Sequence, residues 1–312
     1  MLPLSKRPLA KPIVVKIGTA ALTDENGLPD GAIMAPLVRQ MAELRLQGKN
    51  LVLVTSGAVG MGRHKLGWDK AQKLTDSEKS LAASVGQPYL MRVYADYFES
   101  FGLLPPGQIL AENKHYSNGN DQQRWNLLDY FNIAFSTPRF IPIVNENDVL
   151  SRVEIKPLLR DETAFSDNDG QASLLARLLG AKQTVTISTH CVHTGNPCDP
   201  SAVPLPYINF ISKKLGLEGL GVRTDGFSCG GTGGMENKLE AVRQFVQGGQ
   251  ESCGKRQAYI IDTNDLKQNG LVRAVQGQYV GTKLVCRRPK DVRQKWAGTP
   301  LACTCLPMTS TL

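Results

Sequence analysis

The sequence predicts an α/β fold, a three-layer α/β/α sandwich around an open, mostly parallel sheet. Three observations carry this. Short apolar runs alternate with longer stretches of helical periodicity. The runs are apolar throughout rather than at every second residue, as in strands covered on both faces. The strand–helix–strand order also recurs along most of the 312 residues, which puts helices on both sides of a parallel sheet.

The elements follow in order. Ile13-Val14-Val15 reads as a buried strand entered from Pro12 and ending at Gly18. Asp30 can cap a helix running to about Gly48, with Ile33, Leu37, Met41 and Leu44 on one face. Leu51–Val54 is a second strand, ending in Ser56-Gly57-Ala58. Ser77 can cap a long helix to about Phe101, and Gln108–Leu110 is a candidate strand. A helix around Gln122–Phe135 precedes the strand Phe140–Val144. A helix from about Asp169 to Leu179 leads into a strand at Thr184–Ser188. Residues 190–206, rich in Pro, Cys, Thr and Asn, read as an excursion. Met235–Val246 is helical, Ala258–Ile261 a strand, Asn264–Val275 helical and Thr282–Val285 a short strand.

Charge narrows the function classes. The net +8 on its face fits a nucleic-acid binder, a membrane-surface binder or an enzyme for anions. Residues 1–16 carry +4 and residues 283–295 carry +5, which leaves 17–282 at −1. No broad basic face is implied, and neither nucleic acid nor a membrane is expected as a partner. The seven cysteines (Cys191, Cys198, Cys229, Cys253, Cys286, Cys303 and Cys305) are odd in number and lack zinc spacing, so reduced thiols and no metal site are expected. The start has no long apolar run of a signal peptide, and no run approaches a bilayer span, so a cytoplasmic protein is expected.

In such sheets ligands bind beyond the carboxyl ends of the strands, so the residues after each strand are the candidates. Lys16-Ile17-Gly18-Thr19 sets a point charge beside a glycine, where a phosphate can approach the backbone, although a solvated lysine looks the same. Thr55-Ser56-Gly57-Ala58 is either an anion-binding turn or simply a tight one. Asn145-Glu146-Asn147-Asp148 gathers four polar residues, more than turn chemistry explains, and suits an ammonium or hydroxyl group. In Phe165-Ser166-Asp167-Asn168-Asp169-Gly170, helix capping accounts for one acid, not for Asp-Asn-Asp together. Gly230-Gly231-Thr232-Gly233-Gly234-Met235-Glu236-Asn237-Lys238 opens a helix, as a phosphate-binding loop does. Gly249–Arg256 nearly matches a P-loop but ends in Arg where Ser or Thr would hold magnesium, and it precedes a strand, so it reads as a loop.

The segments VVKIGT, VTSGAVGMGR, SVGQ, IPIVNEND, FSDND and GTGGMENK occur in this order over roughly residues 12–300. Together they resemble the glutamate 5-kinases and the kinase half of pyrroline-5-carboxylate synthases, within the wider amino-acid kinase family. The resemblance implies a carbamate kinase-like sandwich. It implies ATP-dependent phosphorylation of the γ-carboxylate of L-glutamate, the first step of proline biosynthesis. Lys16 and Lys238 would contact the transferring phosphoryl group, with Asp169 holding both. Ser56, Asp148 and Asn168 would bind glutamate, with Gly57 and Asn145 nearby. Lys16, Gly18, Thr19, Ser188, Thr189 and the loop Thr232, Gly233, Gly234, Met235, Glu236, Asn237 and Lys238 would bind ATP, and Mg²⁺ would come mainly through the ATP phosphates.

The resemblance further implies a homo-oligomer, proline as a feedback inhibitor and glutamyl phosphate reductase as a working partner. It divides the chain into a basic arm (1–11), a kinase domain (12–295) and an uncharged tail (296–312), with no room for the RNA-binding PUA domain of bacterial relatives. It departs from the family where Ser188-Thr189-His190-Cys191 stands in place of the usual Thr-Asp or Ser-Asp. That difference motivates an alternative: a glutamate-binding regulatory protein with impaired nucleotide binding. Another carboxylate or phosphate as substrate is the second alternative.

Overall fold

The computed structural model describes residues 11–112, 115–116, 121–150, 168–210, 234–248 and 254–287. Outside them lie most of the basic arm, Phe165-Ser166-Asp167, the glycine run through Thr232 and Gly233, the Gly249–Cys253 part of the P-loop-like segment, and the tail.

The strands are β1 (Ile13–Ile17), β2 (Leu51–Val54), β3 (Gln108–Ala111), β4 (Ile143–Glu146), β5 (Gln183–Ser188), β6 (Tyr207–Asn209), β7 (Gln257–Asp262) and β8 (Thr282–Val285). They form one sheet in the order β3-β4-β2-β1-β5-β7-β8-β6. β8 runs antiparallel to β7, and β6 follows β8; the other six strands are parallel. Their carboxyl ends therefore share one edge of the sheet. β1 is central, with Lys16 opposite Val54 of β2 and Thr186 of β5.

The helices are α1 (Thr19–Leu22), α2 (Gly31–Leu46), α3 (Ala58–Lys65), α4 (Asp76–Ser100), α5 (Asp121–Ser136), α6 (Asn168–Leu178), α7 (Met235–Gln247), α8 (Thr263–Lys267) and α9 (Gly270–Val275). Alternation along each strand assigns them to two layers. Ile13, Val15 and Ile17 bury against residues of α1, α2, α4, α8 and α9. Val14, Val52 and Val54 bury on the other face, with Phe131 and Phe135 of α5, Leu175 of α6 and Leu239 of α7. Both faces are covered, as the fully apolar strands require. Among the described residues no helix is long and apolar enough to cross a membrane.

Three boundaries differ from the sequence expectation. The long helix α4 is capped by Thr75, not Ser77. Thr75 N donates to Glu78 Oε2 at 2.7 Å, and Glu78 N donates to the Thr75 hydroxyl at 3.3 Å, so the acid three residues on selects the cap. β4 begins at Ile143 rather than Phe140, because Pro142 cannot donate to a ladder; it continues to Glu146 because Asn145 and Glu146 pair with Leu110 and Ala111 of β3. The expected helix over 264–275 is two, α8 and α9, broken where Asn269 takes a left-handed φ of 62°. β6 and α1, too short for periodicity to mark, were not anticipated.

Two features seat the elements that bear the site. At the α3–α4 crossing, a Cβ on Gly62 would lie 1.7 Å from the Ala82 carbonyl oxygen, and one on Gly86 would lie 1.9 Å from that of Ala58. The two glycines allow backbone contact between the turn after β2 and α4. The buried guanidinium of Arg45 donates to the carbonyl oxygens of Phe135 (2.9 Å), Thr137 (2.7 Å) and Phe140 (3.1 Å), which fixes the turn leading into β4.

Candidate active site at the carboxyl edge of the sheet

The two faces of the sheet contribute different chemistry at this edge. Lys16 shares a face with Val14, so its side chain lies on the side of α6 and α7. Asp169 stands in the first turn of α6 and Lys238 in the first turn of α7. Lys16 Nζ is 2.6 Å from Asp169 Oδ1, and Lys238 Nζ is 3.6 Å from Asp169 Oδ2. The three side chains are buried, with residue exposures of 4%, 7% and 9% for Lys16, Asp169 and Lys238. A buried charge survives only with a partner. Among the described residues one carboxylate stands between the two ammonium groups, at the amino end of α7, where the helix dipole favours an anion. The trio is thus a candidate site for an anion.

Residues of β2 and β4 on the opposite face build a neutral polar cluster against α4. Asn168, the first residue of α6, donates from Nδ2 to Thr55 O at 2.7 Å, Ser56 Oγ at 2.5 Å and Asn145 Oδ1 at 3.1 Å. Asn145, 1% exposed, donates from Nδ2 to Gln87 Oε1 of α4 at 2.8 Å. Thr55 and Tyr94 share a hydroxyl hydrogen bond of 2.7 Å in the core beneath. Asn168 Oδ1 and Gln87 Nε2 are buried with no partner among the described residues. Gly57 caps α3 with φ of 106°, a conformation that favours glycine.

Asp148 lies just past β4, where Ser80 Oγ of α4 donates to its carbonyl oxygen at 3.0 Å. Burial, and then the neighbouring Glu146, push its carboxyl up to about 7. A carboxylate held at that balance is sensitive to an arriving cation.

Positions expected to bind a nucleotide fall into three groups. Gly18 N already donates to Ile187 O at 3.3 Å, which continues the β1–β5 pairing, and Thr19 opens α1. Ser188 ends β5 and is buried; Thr189 follows it, and the rings of His190 and His193 meet edge-on at 6.3 Å. Gly234 caps α7, with Met235 half-buried and Glu236 and Asn237 exposed in its first turn, whereas Thr232 and Gly233 lie outside the described residues. Among the described residues no group of three or more His, Cys, Asp and Glu side chains could hold a metal ion, and His190, His193, Cys191 and Cys198 are no exception.

Sequence reasoning brought Lys16, Asp169 and Lys238 together, and likewise Ser56, Asn145 and Asn168. It gave Thr55, Tyr94 and Gln87 no role. The available signals were the SVGQ segment, which ends in Gln87, and the spacing in α4. Ala83, Gln87, Leu90, Tyr94 and Phe98 recur on its buried face, and two of those five carry polar atoms.

The model of the amino acid kinase family matches residues 11–262. The glutamate 5-kinase of Desulfotalea psychrophila is 33% identical over 293 residues, spanning 92% of this chain and 70% of that protein. That of Synechococcus sp. (strain JA-2-3B'a(2-13)) is 32% identical over 298 residues, spanning 91% and 71%. Among solved structures, the product complex of T. acidophilum isopentenyl phosphate kinase superposes with a TM-score of 0.53 at 16% identity, covering 88% of this chain and 99% of that one. Carbamate kinase from Giardia lamblia bound to AMP-PNP superposes with a TM-score of 0.52 at 17% identity, covering 88% and 98%. At these identities the structural likeness speaks for the fold.

Proposed function

The chain belongs to the amino acid kinase family, in its glutamate 5-kinase branch, and on that premise we propose that it transfers the γ-phosphoryl group of ATP to the γ-carboxylate of L-glutamate. The observation that carries the mechanism is the buried Lys16–Asp169–Lys238 arrangement. A carboxylate with an ordinary pKa of about 4.3 is already a nucleophile at neutral pH, so the protein needs no general base. Its task is to bring two anions together and neutralise the charge that builds on the transferring group.

In this reading Lys16 and Lys238 contact the phosphoryl group, and Asp169 holds both ammonium groups in place before ATP arrives. An oxygen of the γ-carboxylate attacks the γ-phosphorus, the bond to the bridging β–γ oxygen breaks, and ADP leaves with that electron pair. Ser56, Asp148 and Asn168 hold glutamate, with Gly57 and Asn145 beside them. Asp148 faces the α-ammonium, and the unpartnered Asn168 Oδ1 is an acceptor for the same group. Gly18, Thr19, Ser188, Thr189 and the segment from Thr232 to Lys238 hold the nucleotide. Asp169 is engaged by the two lysines, and Mg²⁺ would come mainly through the ATP phosphates. By resemblance alone the proposal extends to a cytoplasmic homo-oligomer under proline feedback, supplying glutamyl phosphate reductase.

The test is a substrate panel with ATP-Mg and hydroxylamine, which captures acyl phosphates as hydroxamates. Glutamate should give hydroxamate where acetylglutamate, aspartate, carbamate and nucleoside monophosphates give none. Product from acetylglutamate but not glutamate would overturn the assignment.

A further inference from the structure

We infer that Gln87 is a positioning residue for the amino-acid substrate: acting through Asn145, it holds in place the Asn168 side-chain amide whose oxygen is turned to the site. The inference rests on the glutamate reading above and adds a residue to it.

Hydrogen-bond polarity orients these amides. An asparagine amide has one accepting and one donating end, and only fixed partners decide its orientation. Here two backbone groups decide. Glu146 N–H can only donate, and it donates to Asn145 Oδ1 at 2.9 Å. Thr55 C=O can only accept, and it takes Asn168 Nδ2 at 2.7 Å. Asn145 therefore presents Nδ2 to Gln87 and Oδ1 to Asn168, whose own Oδ1 is left unpaired. Gln87 Oε1 is the acceptor that holds the far end of this chain, at 2.8 Å. Gln87 is itself 7% exposed; its Oε1 is taken by Asn145, and its Nε2 has no partner among the described residues. Its influence runs through Asn145.

The local fold supports this role. Gln87 directly follows Gly86, whose missing side chain lets α4 meet the backbone of α3. The same contact that seats the Ser56–Gly57 turn thus sets Gln87 opposite Asn145. A leucine or alanine at position 87 would fill a buried helix position as well as glutamine does, and would not strand an amide nitrogen there. The polar atom is explained by its service to Asn145.

The test compares Gln87→Met, which keeps length and loses the acceptor, with Gln87→Glu, which keeps an oxygen for Asn145 in either protonation state. Stranding the buried Asn145 amide should raise KM for glutamate about tenfold in Gln87→Met, with KM for ATP within about twofold. Gln87→Glu should return KM for glutamate to within about threefold of wild type. In wild-type protein, hydrogen exchange of the Asn168 side-chain amide, read by nitrogen-15 NMR, should be slow, and it should quicken in Gln87→Met. The proposal is overturned if KM for glutamate stays put, if KM for ATP rises in step, if the Glu variant is as impaired as the Met variant, or if the wild-type Asn168 amide exchanges at the free-amide rate. Should wild type form no hydroxamate from glutamate, the glutamate reading fails and the exchange measurement alone judges the relay.

Discussion

Glutamate binding should depend on pH through Asp148. Its carboxyl is pushed up to about 7, first by burial and then by Glu146. The sign follows directly: below that value the group is neutral, and it offers no charge to an ammonium. The ionised fraction is about 0.9 at pH 8 and about 0.1 at pH 6, so KM for glutamate should rise roughly tenfold between them. Neither the γ-carboxyl nor the α-ammonium of glutamate titrates in that window, whereas the terminal phosphate of ATP does, near 6. The assay is therefore initial rates against glutamate at saturating ATP-Mg, with Asp148→Asn measured in parallel. That variant should have a high KM at every pH and a flat profile. Removing a carboxylate that must charge in a partly buried place should also raise its melting temperature at pH 8 by a few degrees. A wild-type KM unchanged across the window, or the same inflection in Asp148→Asn, would refute the reasoning.

Two further variants probe the scaffold. Asp169→Asn leaves Lys16 and Lys238 as buried cations without their carboxylate, which should cost about 3–5 kcal/mol of stability by thermal or denaturant unfolding. The same change should lower kcat by roughly 10²–10³, the scale of losing a preorganised donor. Gly86→Ala drives a methyl group to 1.9 Å from the Ala58 carbonyl oxygen, a contact that neither helix backbone can yield to cheaply. It should lower stability by at least about 3 kcal/mol, visible as a lost or strongly shifted melting transition.

The parallel strands were legible because each is an apolar run covered on both faces, and alternation along them then decided which helix layer each polar residue faces. Lys16 is the clearest case. It interrupts an apolar strand, and its place on the face of Val14 commits it to α6 and α7. Asp169 was legible because it opens a helix in a run too polar for capping alone, and Lys238 because it lies one turn into a helix that a glycine-rich loop opens. Two features that eluded the sequence are β6, held by pairing to β8, and the break between α8 and α9, which turns on the left-handed backbone of one residue, Asn269. Thr75 outcompetes Ser77 through a reciprocal pair of hydrogen bonds with Glu78. Gln87 stood in the SVGQ segment without a role, and Tyr94 was hidden, because a polar residue on a helix face announces no partner. Only the fold reveals that Asn145 and Thr55 are waiting across from them.

In the proposed reaction a glutamate carboxylate oxygen attacks the γ-phosphorus of ATP at the Lys16–Asp169–Lys238 site. It is tested most directly by supplying glutamate labelled with oxygen-18 in its γ-carboxylate, together with ATP-Mg and hydroxylamine, and analysing the released phosphate by mass spectrometry. Hydroxylamine cleaves the acyl phosphate at carbon, so each phosphate should carry one labelled oxygen, and Lys238→Ala should suppress its formation. Glutamate-dependent phosphate without label, or labelled phosphate formed at the wild-type rate by Lys238→Ala, would contradict the account.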